Sequence, residues 1–85
     1  MYNKYVAKWF VYILQCKDKS LYTGITNDIT KRFAEHKAGK GSRYVRSRKA
    51  VKIVHSEKFP SKSKALKREA YIKRITRQEK LKLIK

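Results

Sequence analysis

The sequence predicts a small α+β fold of order β-β-α-β-α with a C-terminal helical tail. Three observations carry it. Two β-rich runs are separated by a short turn, two stretches space their apolar residues as helices do, and a third strand-like run is closed by Pro60. With 85 residues the chain has the size of a single domain.

Trp9-Phe10-Val11-Tyr12-Ile13-Leu14 is β-branched and aromatic, with apolar residues at both parities, so the first strand is expected to be covered on both faces. Lys17-Asp18-Lys19-Ser20 reads as a turn, and Leu21-Tyr22-Thr23-Gly24-Ile25-Thr26 as the returning arm of a hairpin. Asn27 or Thr26 can cap a helix starting near Asp28, with Ile29 and Phe33 as its core contacts and Gly39 and Gly41 ending it. Ala50-Val51-Lys52-Ile53-Val54-His55 reads as the third strand. A helix from about Ser61 runs through Ala65, Leu66, Ile72 and Ile75, and a last one from Gln78 to Ile84 is expected to pack Leu81 and Ile84 on the body.

The composition excludes several classes. No apolar run approaches the ~18 residues of a membrane span. Met1-Tyr2-Asn3-Lys4-Tyr5 lacks the apolar core of a secretion signal. Cys16 is the single cysteine, so neither an internal disulfide nor a thiolate zinc site is available. The chain is read as cytoplasmic. Its 24 Lys and Arg against 6 Asp and Glu give a net charge of +18, and such self-repulsion favours a polyanionic partner.

That charge is unevenly placed. Residues 37–52 carry seven basic and no acidic groups, and residues 61–85 carry ten basic and two acidic ones. In the first block Lys37, Lys40, Arg43, Arg46, Arg48 and Lys49 surround Tyr44, a mixture suited to phosphates and stacked bases. Neither block has an apolar stripe opposite its basic side, which disfavours a membrane surface. DNA is the expected partner, with RNA second.

Three further features bear on chemistry. Glu69 falls between Ala65, Leu66 and Ile72 on one helical face, where a carboxylate is costly without a cation, a metal or donors. Tyr12 and Tyr22 sit on the two arms of the hairpin. A three-residue loop of Lys17, Asp18 and Lys19 sets Tyr12 opposite Gly24 and Leu14 opposite Tyr22, so both phenols share a face and Gly24 leaves space beside Tyr12. Arg32 and His36 lie one turn apart at the edge of the first helix. Together these groups suit phosphodiester hydrolysis: an acid for a divalent metal, an arginine for developing charge, and phenols to handle a proton.

Phe10-Val11-Tyr12, Tyr22-Thr23-Gly24, Arg32, His36 and Glu69, with spacings of ten, ten and four residues from Tyr12 to His36, resemble the GIY-YIG nuclease domain over about residues 8–84. More closely, the chain is similar to the small stand-alone bacterial members of that superfamily, the URI-type predicted endonucleases. The resemblance implies a three-stranded antiparallel sheet flanked by helices. It also implies a DNA endonuclease dependent on Mg²⁺ or Mn²⁺, of low sequence specificity and directed by strand structure or damage. Glu69 would then bind the metal, Arg32 would contact the scissile phosphate, and Tyr12 would support the water or a phosphate oxygen. Tyr22 is the candidate general base and His36 a competing one, because imidazole titrates near neutrality. Phe10 stands where the motif has Gly. Ile25 stands where some members have a Lys, and Leu81 lies near where some place an Asn. Without a recognition domain, targeting would rest on the basic rim, a partner protein or substrate shape. The alternative is a weakly active or inactive nucleic-acid-binding module of the same fold.

Overall fold

The turn after the first strand fixes the sheet. Lys19 takes a left-handed conformation with φ 73°, and its N–H donates to the Cys16 carbonyl at 2.9 Å while Cys16 N–H donates to the Ser20 carbonyl at 2.9 Å. The Asp18 carboxylate accepts from the Ser20 N–H and hydroxyl. This closes a three-residue loop of Lys17, Asp18 and Lys19, a common hairpin solution. In the computed structural model, which describes residues 8–84, β1 (Trp9–Cys16) and β2 (Leu21–Thr26) pair antiparallel with Tyr12 opposite Gly24 and Leu14 opposite Tyr22, the expected register. Residues Met1–Tyr5, read above as lacking a leader, lie outside the described residues.

β3 (Ala50–Phe59) pairs antiparallel with the other side of β1, giving the order β2-β1-β3. It runs past the expected end at His55 because Glu57, Lys58 and Phe59 pair with Val11, Phe10 and Trp9. Strand β1 is therefore central, and its alternation serves two layers. Tyr12, Leu14 and Cys16 join Val45 and Ala50, with Phe33 and Ile53 against them. Val11 and Ile13 join Ala65 and Ile72 on the other layer.

Helix α1 (Ile29–Lys37) starts where Asp28 accepts the Lys31 N–H, so Asp28 is the cap in place of Asn27 or Thr26. It ends before Gly39, whose φ of 79° turns the chain, and Gly41 lies beyond it. The basic block holds a helix absent from the sequence reading, α2 (Arg43–Arg48), capped by Ser42 and anchored by buried Val45.

Ser61 caps α3 (Lys62–Arg74), which starts where expected but ends one residue short of Ile75, its extended C-cap. A reciprocal Thr76–Glu79 capping box starts α4 (Arg77–Leu83). Two expected core contacts are corrected. Leu66 is 44% exposed and Leu81 45% exposed. The buried stripe of α3 runs through Ala65 and Ile72, and Leu83 with Ile84 covers the body from the tail. Among the described residues no helix is long and apolar enough to cross a membrane.

Candidate active site

The hairpin register brings Tyr12 and Tyr22 onto one face, with ring centroids 6.3 Å apart. Gly24 is required there. A Cβ at that position would lie 2.6 Å from the Tyr12 Oη and 3.1 Å from Tyr22 Cε2. The space expected beside Tyr12 is thus filled by the Tyr12 phenol itself, which lies over the glycine.

The last turn of α1 brings His36 against both rings, edge-on, at centroid distances of 5.8 Å from Tyr12 and 5.4 Å from Tyr22. Its Nε2 is 2.8 Å from the Tyr12 hydroxyl. Tyr12 is 1% and His36 2% exposed, so this hydrogen bond is sealed. Gly41 closes the other edge of the imidazole, where a Cβ would lie 2.5 Å from His36 Nδ1. Nothing in the sequence spacing signals that packing role for Gly41.

Arg32 sits one turn before His36. Its Nη1 donates to Glu35 Oε1 at 3.1 Å and its Nη2 to the Gly41 carbonyl at 3.4 Å, while its buried Nε has no partner among the described residues. The i, i+3 spacing of Arg32 and Glu35 was the available sequence signal for this pairing. The guanidinium also borders a groove of about 250 Å³ with Trp9, Asn27 and Lys31. Proximity to the Tyr12 hydroxyl is the largest influence raising the Arg32 pKa, with burial opposing it.

Burial pushes the Tyr12 phenol up to about 12; the Arg32 guanidinium opposes this, while Tyr22 and Glu69 add to the rise. Tyr12 therefore stays protonated at neutral pH. Burial, and then the charge of Arg32, push His36 below its ordinary value, so the imidazole is neutral.

Glu69 is reached differently. Its side chain is 17% exposed on α3, and its Oε2 lies 3.3 Å from Lys73 Nζ. Its charge is felt at Tyr12, but no hydrogen bond joins it to the aromatic cluster. Among the described residues no group of three or more His, Cys, Asp or Glu is arranged to hold a metal. Glu69 can offer carboxylate oxygen alone, which fits Mg²⁺, an ion that keeps several waters and takes one or two carboxylates plus substrate phosphate.

The basic block is only partly gathered to this site. Tyr44 lies 6.0 Å from Tyr22, and Arg48 stacks over Tyr44 at 4.0 Å while its Nε meets Asp18 at 3.4 Å. Lys37, Arg46 and Lys49 line one cleft together with His36. Lys40 and Arg43 are exposed.

The chain is thus a three-stranded α+β domain that buries a tyrosine–histidine pair beside a second tyrosine and an arginine. Residues 8–82 match the GIY-YIG catalytic domain, and the chain belongs to that family. The family's nucleases generally use divalent metals, and its domain implies a nucleic-acid substrate. The UPF0213 protein of Syntrophus aciditrophicus is 56% identical over 94% of this chain and 93% of its own length. UPF0213 protein SH2523 of Staphylococcus haemolyticus is 52% identical, over 93% and 96%. The solution NMR structure of the UPF0213 protein BH0048 from Bacillus halodurans is 42% identical and superposes with a TM-score of 0.59, covering 91% of this chain and 82% of that one.

Proposed function

We propose that this chain is a divalent-metal-dependent DNA endonuclease that hydrolyses phosphodiester bonds with little sequence preference, directed by strand structure or damage. The observation that carries this reading is the sealed Tyr12–His36 hydrogen bond held between Arg32 and Tyr22. The strand would lie along the groove beside Arg32, whose guanidinium binds a non-bridging oxygen of the scissile phosphate. His36, neutral and inaccessible, fixes the Tyr12 hydroxyl, and Tyr12 as a phenol orients the water or a phosphate oxygen. Tyr22 is the half-buried member of the trio, so its hydroxyl proton can leave to solvent and the resulting phenolate would take the proton of the attacking water. Glu69 would hold the metal, which when bound offsets charge building on the phosphate.

The test is cleavage of supercoiled plasmid and of a branched oligonucleotide, with and without Mg²⁺, by wild type and Glu69→Ala. Metal-dependent cutting that drops on the order of 100-fold or more in the variant is the expected result. Metal-independent cutting, or equal cutting by both proteins, would overturn it.

One observation favours a second reading, a nucleic-acid-binding module with weak or no turnover. Lys73 occupies Glu69 at 3.3 Å, where a divalent cation would have to compete. Tight, salt-sensitive binding without cutting on any of these substrates would establish that reading instead.

A further inference from the structure

Beside His36 a cleft of about 290 Å³ opens between the end of α1 and the start of β3. That is several times the roughly 30 Å³ share of one water. Lys37, Arg46 and Lys49 line it together with His36, Gly39 and Val45, and no acidic residue does.

Three details indicate a built site. The stem of Arg46 lies across Gly39, where a Cβ would come within 3.3 Å of its Cγ and where φ is already +79°. Lys37 Nζ is tethered to the Ala50 carbonyl at 3.4 Å. Lys49 adopts φ 69° and ψ 113°, a strained setting for a side-chain-bearing residue, and such strain gathers at functional positions. Glycine would relieve it, yet the position carries a cation.

The negative end of the α1 dipole faces this region but does not decide its sign. It amounts to roughly half a charge. Its terminal carbonyls already accept from the N–H groups of Ala38, Gly39 and Lys40, and three full positive charges stand against it.

We propose that this cleft is a phosphate-binding site, separate from the reaction centre, that grips a phosphate group of the nucleic-acid strand through Lys37, Arg46 and Lys49. It rests on the nucleic-acid reading above but not on turnover.

Inorganic phosphate titrated into the metal-free protein, followed by NMR, tests it. Saturable shifts confined to the Gly39, Lys49 and Ala50 amides and the His36 ring are expected. Arg46→Glu and Lys49→Glu should weaken them about tenfold or more, since each removes a charge-assisted hydrogen bond, and Lys62→Glu on α3 should not. Lys49→Gly should bind phosphate less well while melting at a higher temperature, a pairing that loss of structure cannot produce. Shifts spread over the whole basic surface, or an Arg46→Glu titration identical to wild type, would overturn the proposal.

Matched oligonucleotides then identify the source. A 5′-phosphorylated strand that binds more tightly than its 5′-hydroxyl twin, with the advantage lost in Arg46→Glu, indicates a terminal phosphate. Equal binding that falls for both in that variant indicates an internal one. Because these measurements involve no cutting, an inactive protein that still localises phosphate would overturn the endonuclease reading alone.

Discussion

The Tyr12 hydroxyl and His36 Nε2 lie 2.8 Å apart inside the protein, with the opposite edge of the imidazole closed by Gly41. Among the described residues the imidazole has no other hydrogen-bond partner, so its one paired nitrogen depends on the phenol. Tyr12→Phe leaves a buried ring nitrogen unpaired, which costs about 1–3 kcal/mol. Urea unfolding should show that loss as a lower midpoint with an unchanged slope.

Gly24→Ala tests the fit of the phenol over the hairpin. Its Cβ would demand the space 2.6 Å from the Tyr12 Oη, and the sealed ring has nowhere to move cheaply. The expected outcome is cleavage reduced far more than stability is, read by comparing plasmid nicking with the melting temperature. Proportionate losses would mean that the glycine serves folding alone.

Acid should weaken the protein in two steps. His36 is held below its ordinary 6.5, so the unfolded chain takes up the proton more readily than the folded one. Its contribution is full above about pH 6.5 and falls as pH drops through that value toward the folded-state pKa. The Arg68 guanidinium holds Glu57 below its ordinary 4.5, and that contribution starts to fall only below about that pH. Denaturant midpoints measured from pH 8 to pH 3 should therefore show a first decline that begins well before the carboxylate range.

Lys73→Ala releases Glu69 from its 3.3 Å partner. Lys73 is 54% exposed, so the pair adds little to stability, about 0–1 kcal/mol. The variant should keep the wild-type melting temperature and reach half-maximal cleavage at a lower Mg²⁺ concentration. A higher requirement would mean that Lys73 helps hold the substrate.

The hairpin was the most legible part of the fold, because a loop of three residues leaves one register, and that register alone places Tyr12 over Gly24 beside Tyr22. Arg32 and His36 followed from helical spacing on α1. Helix α2 was hidden because six residues, half of them arginine, show no apolar period; its signals were the Ser42 cap and a single buried Val45. Leu66 and Leu81 misled because an apolar residue within one turn of the buried stripe can still face water, as both do. For Glu69, position on the stripe was readable, but the choice of Lys73 as partner was not, since basic residues surround it in sequence.

The central place of β1 has a consequence for how the molecule comes apart. Its amides are bonded to strands on both sides, and its faces are covered by Tyr12 and Leu14 on one layer and Val11 and Ile13 on the other. Amide hydrogens there exchange with solvent only through near-global opening. Helix α2, with Val45 as its sole buried residue, can fray independently. Under mild heating the molecule would lose its hold on a polyanion before Tyr12 leaves its seat, and would regain that hold on cooling without refolding the strand that carries it.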